Sequence, residues 1–171
     1  MDITSYLLGK NASGGGGGGS DLDWTALGYE TRPQAIDNDY NYAKQIKDNW
    51  TPATSLYDKF SGNGNLVIMP LVDTSITTNF SWMFGNCNRL TSVPVLNTSS
   101  ATNFNSMFYS VNKLSDESLN NILKMAINAT SYSGTKYLTQ FGISPTYYPA
   151  SKIQGLSSYQ EFIDAGWTIG Y

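Results

Sequence analysis

The 171-residue chain contains no histidine and one cysteine, Cys87. Without histidine it lacks the side chain most used as general base and metal ligand, and no Ser–His–Asp triad or Cys–His pair can form. A lone cysteine makes no intrachain disulfide and cannot by itself build a zinc site. Charge is also scarce: 13% of residues are charged and the net charge is −3. Nothing basic is clustered to neutralise phosphates, so no nucleic-acid partner is expected. The 13 acids are scattered without a paired motif for carboxylate-only hydrolysis. No run approaches the roughly 20 apolar residues of a membrane span, and no membrane insertion is expected. Met1-Asp2-Ile3-Thr4 lacks a positive start and only Tyr6-Leu7-Leu8 resembles an apolar region, so no secretory signal is read. A non-enzymatic protein with no cofactor and no metal site is expected, kept in the cell that makes it until lysis.

What is present is aromatic and repetitive. Tyrosine (12), phenylalanine (7) and tryptophan (4) are many for this length, and tyrosine serves contact surfaces as well as cores. The segment 66–89, LVIMPLVDTSITTNFSWMFGNCNR, aligns at an offset of 24 with 90–113, LTSVPVLNTSSATNFNSMFYSVNK. Leu66/Leu90, Pro70/Pro94, Thr74/Thr98, Ser75/Ser99, Thr78/Thr102, Asn79/Asn103, Phe80/Phe104, Met83/Met107 and Phe84/Phe108 coincide. Upstream, 59–66 matches 83–90 with Phe60 under Phe84. A unit this short cannot close its own core, so equivalent residues should form columns: Leu66–Leu90–Leu114, Phe60–Phe84–Phe108 and Phe80–Phe104. Val67–Met69 and Val93–Val95 read as short strands. Asp73-Thr74-Ser75 and Asn97-Thr98-Ser99 read as turns, and Asn79 and Asn103 as an internal ladder for loop amides.

In phase, Thr-Ser, Thr-Asn, Met-Phe, Cys87 and Leu90 resemble the BspA-type leucine-rich repeat of bacterial surface proteins, over roughly residues 57–115. The resemblance implies an α/β fold: a short leucine-rich-repeat solenoid of about two and a half 24-residue repeats with helical N- and C-terminal caps. It also implies adhesion to host proteins or other cells. Cys87 stands at that family's cysteine position, and Val111 replaces it one unit on, which favours a buried small hydrophobe over a reactive thiol.

Five segments are read. Residues 1–10 form an N-terminal anchor peptide, 11–20 a Gly-rich linker, 21–56 a helical N-terminal cap, 57–114 the repeats and 115–171 a helical C-terminal cap. In the first cap Pro33 opens a helix with Ile36, Tyr40, Ala43 and Ile46 on one face; it caps the array or serves oligomerisation. In the second, Ser115 caps a helix whose face is Leu119, Ile122, Leu123, Ala126 and Ile127. Ser158 and Glu161 form a capping box for a further helix stopped by Gly166, and residues 130–155 read as loops. Trp167, Ile169 and Tyr171 dock back on the cap.

Exposed positions that differ between repeats are free to specialise. Trp82 replaces the residue type of Ser106, and Tyr109 that of Gly85. With Tyr147 and Tyr148 they make a candidate contact patch for a host-surface protein or glycan; the alternative is that they cover apolar surface. At the other end, Ile3, Tyr6, Leu7 and Leu8 form a candidate anchor to a capsid or tail protein. Ten residues hold neither helix nor strand alone in water, but they gain structure when docked on a partner. Residues 11–20 would span about 18 Å on average and at most about 35 Å. This layout resembles a phage head or tail fibre or decoration protein on the virion surface, and a homotrimer is compatible with close packing of the glycines between chains. A discarded leader, a bacterial cell-surface adhesin fragment and an intracellular interaction module remain open, with a glycan-cleaving enzyme last.

Overall fold

A computed structural model describes residues 22–30, 33 and 37–171. The anchor residues Ile3, Tyr6, Leu7 and Leu8 and the linker 11–20 lie outside the described residues. Four α-helices are present among the described residues: α1 (Asp37–Asp48), α2 (Asp116–Asn128), α3 (Ala150–Gln154) and α4 (Tyr159–Asp164). Single 3₁₀ turns cover Thr25–Leu27 and Leu138–Phe141.

No β-strand occurs among the described residues; the only β pairing there is four isolated parallel bridges. The expected α/β leucine-rich-repeat solenoid is therefore not the fold. The 24-residue units instead lie against one another as successive irregular turns. Proline explains part of this. Ile68 bridges Ser92, but Pro70 and Pro94 follow within two residues and have no N–H to extend a ladder. Val93 turns its N–H to the Ser118 hydroxyl at 3.1 Å instead of to a neighbouring unit. Left-handed backbone interrupts extension elsewhere in the unit. Asp58, Trp82 and Ser106 have φ of 59°, 57° and 58°, and Gly62, Asn86 and Ser110 have 70°, 59° and 59°. The two positions in each pair are four residues apart and the pairs recur every 24 residues, so extension is broken at 58–62, 82–86 and 106–110.

The units are nevertheless held in a fixed register. Ser55 bridges Asn79, and Asn79 bridges Asn103. The Phe60 and Phe84 N–H groups donate to Met83 O and Met107 O, both at 2.9 Å. Threonine hydroxyls tie further carbonyls: Thr74 Oγ1 donates to Asn97 O at 2.9 Å, and Thr98 Oγ1 to Met125 O at 2.6 Å. Asn79 and Asn103 do not form a side-chain ladder. Each carboxamide oxygen accepts the N–H two residues on, Ser81 at 3.0 Å and Asn105 at 2.9 Å, closing its own turn. Asp73 and Asn97 do the same with Ser75 and Ser99.

Aromatic rings fill the interior in two columns. Trp50, Phe60, Phe84 and Phe108 follow one another at centroid distances of 6.4, 5.8 and 5.2 Å. Phe80, Phe104 and Phe141 follow at 5.8 and 4.3 Å, and Trp167 closes that column 5.7 Å beyond. Residues 138–142 thus add a further layer: Ser106 and Phe108 donate their N–H groups to Gln140 O and Phe141 O. Gly142 is required there, because its φ is 80° and a Cβ would stand 2.7 Å from Tyr109 N.

The described part of α1 begins at Asp37, and Ile36 lies outside it. Tyr40 and Ala43 are buried in a second, smaller cluster with Trp24, Leu27, Tyr29, Val67 and Ile68. On the other side, Ser115 caps α2 through the Ser118 N–H, and Leu119, Ile122, Leu123 and Ala126 are buried. The capping box expected at Ser158 and Glu161 is absent. Ser158 makes no side-chain cap; its N–H and the Ser157 hydroxyl go to the Asn120 carboxamide oxygen at 2.8 and 3.1 Å. Nor is 130–155 all loop, since it contains the Leu138–Phe141 turn and α3.

Phe84 is fully buried in the middle of its column. Phe84→Ala should lower unfolding free energy by about 3–5 kcal/mol, read as a lower urea midpoint, since it opens a cavity between two rings. Cys87 is buried, with Sγ donating to Phe60 O at 3.0 Å, and burial pushes its thiol up to about 11 from 9.0. Its contribution to stability is complete below about pH 9 and is lost as pH rises towards 11. The native chain should resist an aromatic disulfide reagent at pH 8 and react fully in denaturant. Fast native labelling would contradict this burial.

Candidate functional site

The left-handed position that opens each first turn suits short polar side chains, and Asp58 and Ser106 fill it in the outer units. Trp82 fills it in the middle one. A bulky L-residue there costs about 1–2 kcal/mol, so the ring is held against backbone preference. Its placement depends on a second residue. The indole lies across Gly85, where a Cβ would stand 2.6 Å from Trp82 Cε3. The equivalent positions hold Ser61 and Tyr109. Trp82 and Gly85 are therefore a matched pair: the glycine vacates the surface that the indole covers.

Tyr109 completes the surface. Its ring centroid is 4.9 Å from that of Trp82 at an interplanar angle of 46°. Tyr109 is 48% exposed and Trp82 half-buried. Tyr57, at the position Ser81 and Asn105 occupy in the next two units, is 60% exposed. The surrounding residues are small and polar, with Asn86 and Asn105 exposed and Ser106 half-buried. Among the described residues the Asn86 carboxamide has no hydrogen-bond partner. Beneath this surface, with both rings in place, Met83, Phe84, Met107 and Phe108 are all at 0% exposure.

The other two residues of the expected patch behave differently. Tyr148 is buried, its hydroxyl accepting from Leu114 N at 2.9 Å and donating to Val111 O at 3.1 Å. Burial pushes its phenol up to about 12. It ties the loop before α3 to the end of the repeats and offers no contact surface. Tyr147 is 44% exposed, but its ring pairs edge-on with Tyr148 at 6.4 Å, not with Trp82 or Tyr109.

One feature escaped the sequence reading. An open groove of about 950 Å³ runs past Lys47, Trp50, Leu71, Val95 and Ile127 to Thr130. Leu71 and Val95 are equivalent residues, one unit apart and outside the three columns. An apolar position repeated out of phase with the core was the signal that marked it.

No family model, curated protein or solved structure matches the chain.

Trp82→Asn trades the indole for a residue that accepts positive φ. Relief of strain offsets the lost ring contact of about 0.5–1.5 kcal/mol, so stability should change by no more than about 1 kcal/mol in a denaturant titration. Tyr148→Phe should instead cost about 1–3 kcal/mol, because Leu114 N and Val111 O lose their buried partner. The two variants separate a surface ring from a structural one.

Proposed function

We propose that the chain is a non-enzymatic binding module, carried on a virion as a fibre or decoration protein and held there through residues 1–10. In this reading the Trp82–Tyr109 surface faces outward and makes the adhesive contact with a host or other cell surface. The observation that carries it is Trp82 itself. A large ring is kept at a left-handed backbone position, over a glycine that makes room for it, where neighbouring units use Asp and Ser. Strain retained at a half-buried aromatic residue on the surface supports a role in contact. The virion setting draws on the layout of the sequence, a decapeptide carrying Ile3, Tyr6, Leu7 and Leu8 and, three residues on, six consecutive glycines before the described domain. A bacterial cell-surface protein would use the same ring surface.

Two measurements test this reading. Fluorescently labelled chain should bind cells within a panel of Gram-positive and Gram-negative bacteria, and Trp82→Ser with Tyr109→Ser should weaken that binding at least tenfold, or about 1.4 kcal/mol. Unchanged binding by the double variant would refute the contact role. Deletion of residues 1–10 should leave the domain folded by circular dichroism and remove it from purified particles. Retention of the truncated chain in particles would refute the anchor.

A further inference from the structure

The chemistry around the two rings specifies more than a contact, and on the adhesion reading above we infer that the Trp82–Tyr109 surface is a binding platform for a neutral polysaccharide. A pyranose presents an apolar face of C–H groups, weakly positive at hydrogen, and a rim of hydroxyls. The first complements the negative face of an indole or phenol ring, and the second needs amides and hydroxyls around it. Both are in place. The rings of Trp82 and Tyr109 lie 4.9 Å apart at the surface, and Asn86 and Asn105 are exposed beside them. The Asn86 carboxamide makes no bond within the described residues, so it is available to a sugar hydroxyl directly or through water.

Charge argues for a neutral ligand. Asp58 is exposed at the equivalent position one unit away, which disfavours phosphate or carboxylate groups. The nearby cation, Lys59, is directed elsewhere, with its ammonium 5.9 Å over the Trp50 ring. Composition argues against a protein partner. The residues around the two rings are small and polar, offering hydroxyl and amide partners rather than the apolar core that marks protein interfaces. The exposed aliphatic side chains Leu71 and Ile76 belong to a different part of the unit from the rings.

The test uses full-length labelled chain on the cells that bind it, after either periodate, which cleaves vicinal diols of sugars, or protease, which strips surface proteins. Periodate should abolish binding and protease should leave it, while Trp82→Ser and Gly85→Ala, which adds a methyl where the indole lies, each weaken it tenfold or more. Circular dichroism and the denaturant midpoint establish that both variants are folded; should Gly85→Ala fail that check, Trp82→Asn replaces it. Binding lost to protease but not to periodate, or resistant to both, overturns the polysaccharide assignment and leaves the adhesion reading standing. Periodate-sensitive binding that ignores all Trp82 and Gly85 variants overturns the site. No binding to any cell overturns both readings.

Discussion

The column Trp50–Phe60–Phe84–Phe108 sets the register on which the rest of the molecule depends. Rings stacked at 5–6 Å fix how far each unit sits from the next, and that spacing lets the backbone of one unit donate to the carbonyls of its neighbour. Each buried phenylalanine contributes about 1.5–3 kcal/mol of apolar burial, whereas each single bridge contributes about 1 kcal/mol or less. The side chains therefore carry the repeat and the hydrogen bonds follow. Ends are closed in the same way. Trp50 terminates one column, and Phe141 and Trp167 terminate the other.

That division of labour frees the turns. The left-handed positions lie outside the aromatic columns, and the residue placed there differs from unit to unit. Asp58 and Ser106 follow the conformational rule and Trp82 breaks it. The break is local, contained by Gly85 below and Tyr109 beside it, and it keeps the register: Trp82 N–H still donates to Asn105 O at 3.1 Å, and Gly85 O and Tyr109 O still accept from Gly62 and Asn86 at 2.7 Å. On the proposed reading, a binding surface here would stand on the packed layer of Met83, Phe84, Met107 and Phe108.

The 24-residue period, the two phenylalanine columns, the burial of Leu66, Leu90, Leu114 and Cys87 and the apolar face of α2 were legible in the sequence, because each follows from the spacing of large side chains. Strands were not, and the residues concerned say why. Val67–Met69 and Val93–Val95 have the composition of strands, but Pro70 and Pro94 remove ladder donors and Val93 N–H goes to the Ser118 hydroxyl instead of a neighbouring unit. Backbone handedness at Trp82 left no trace in its residue type, which points the other way. At the candidate site, Trp82 and Tyr109 were found by asking where equivalent positions differ. Tyr148 was misplaced by the same reasoning, since outside the repeats no equivalent residue reports on burial. The Asn120 cap of α4 reaches across 38 residues and has no local signature.

The most direct test of this account is a nuclear Overhauser measurement on the labelled native chain at the junction of Trp82, Gly85 and Tyr109. The account predicts strong cross-peaks from the indole protons of Trp82 to the α-protons of Gly85 and to the ring of Tyr109. Carbon shifts at Trp82 should be those of a left-handed residue. An indole with no cross-peak to Gly85 and backbone shifts in the extended or right-handed range would contradict it.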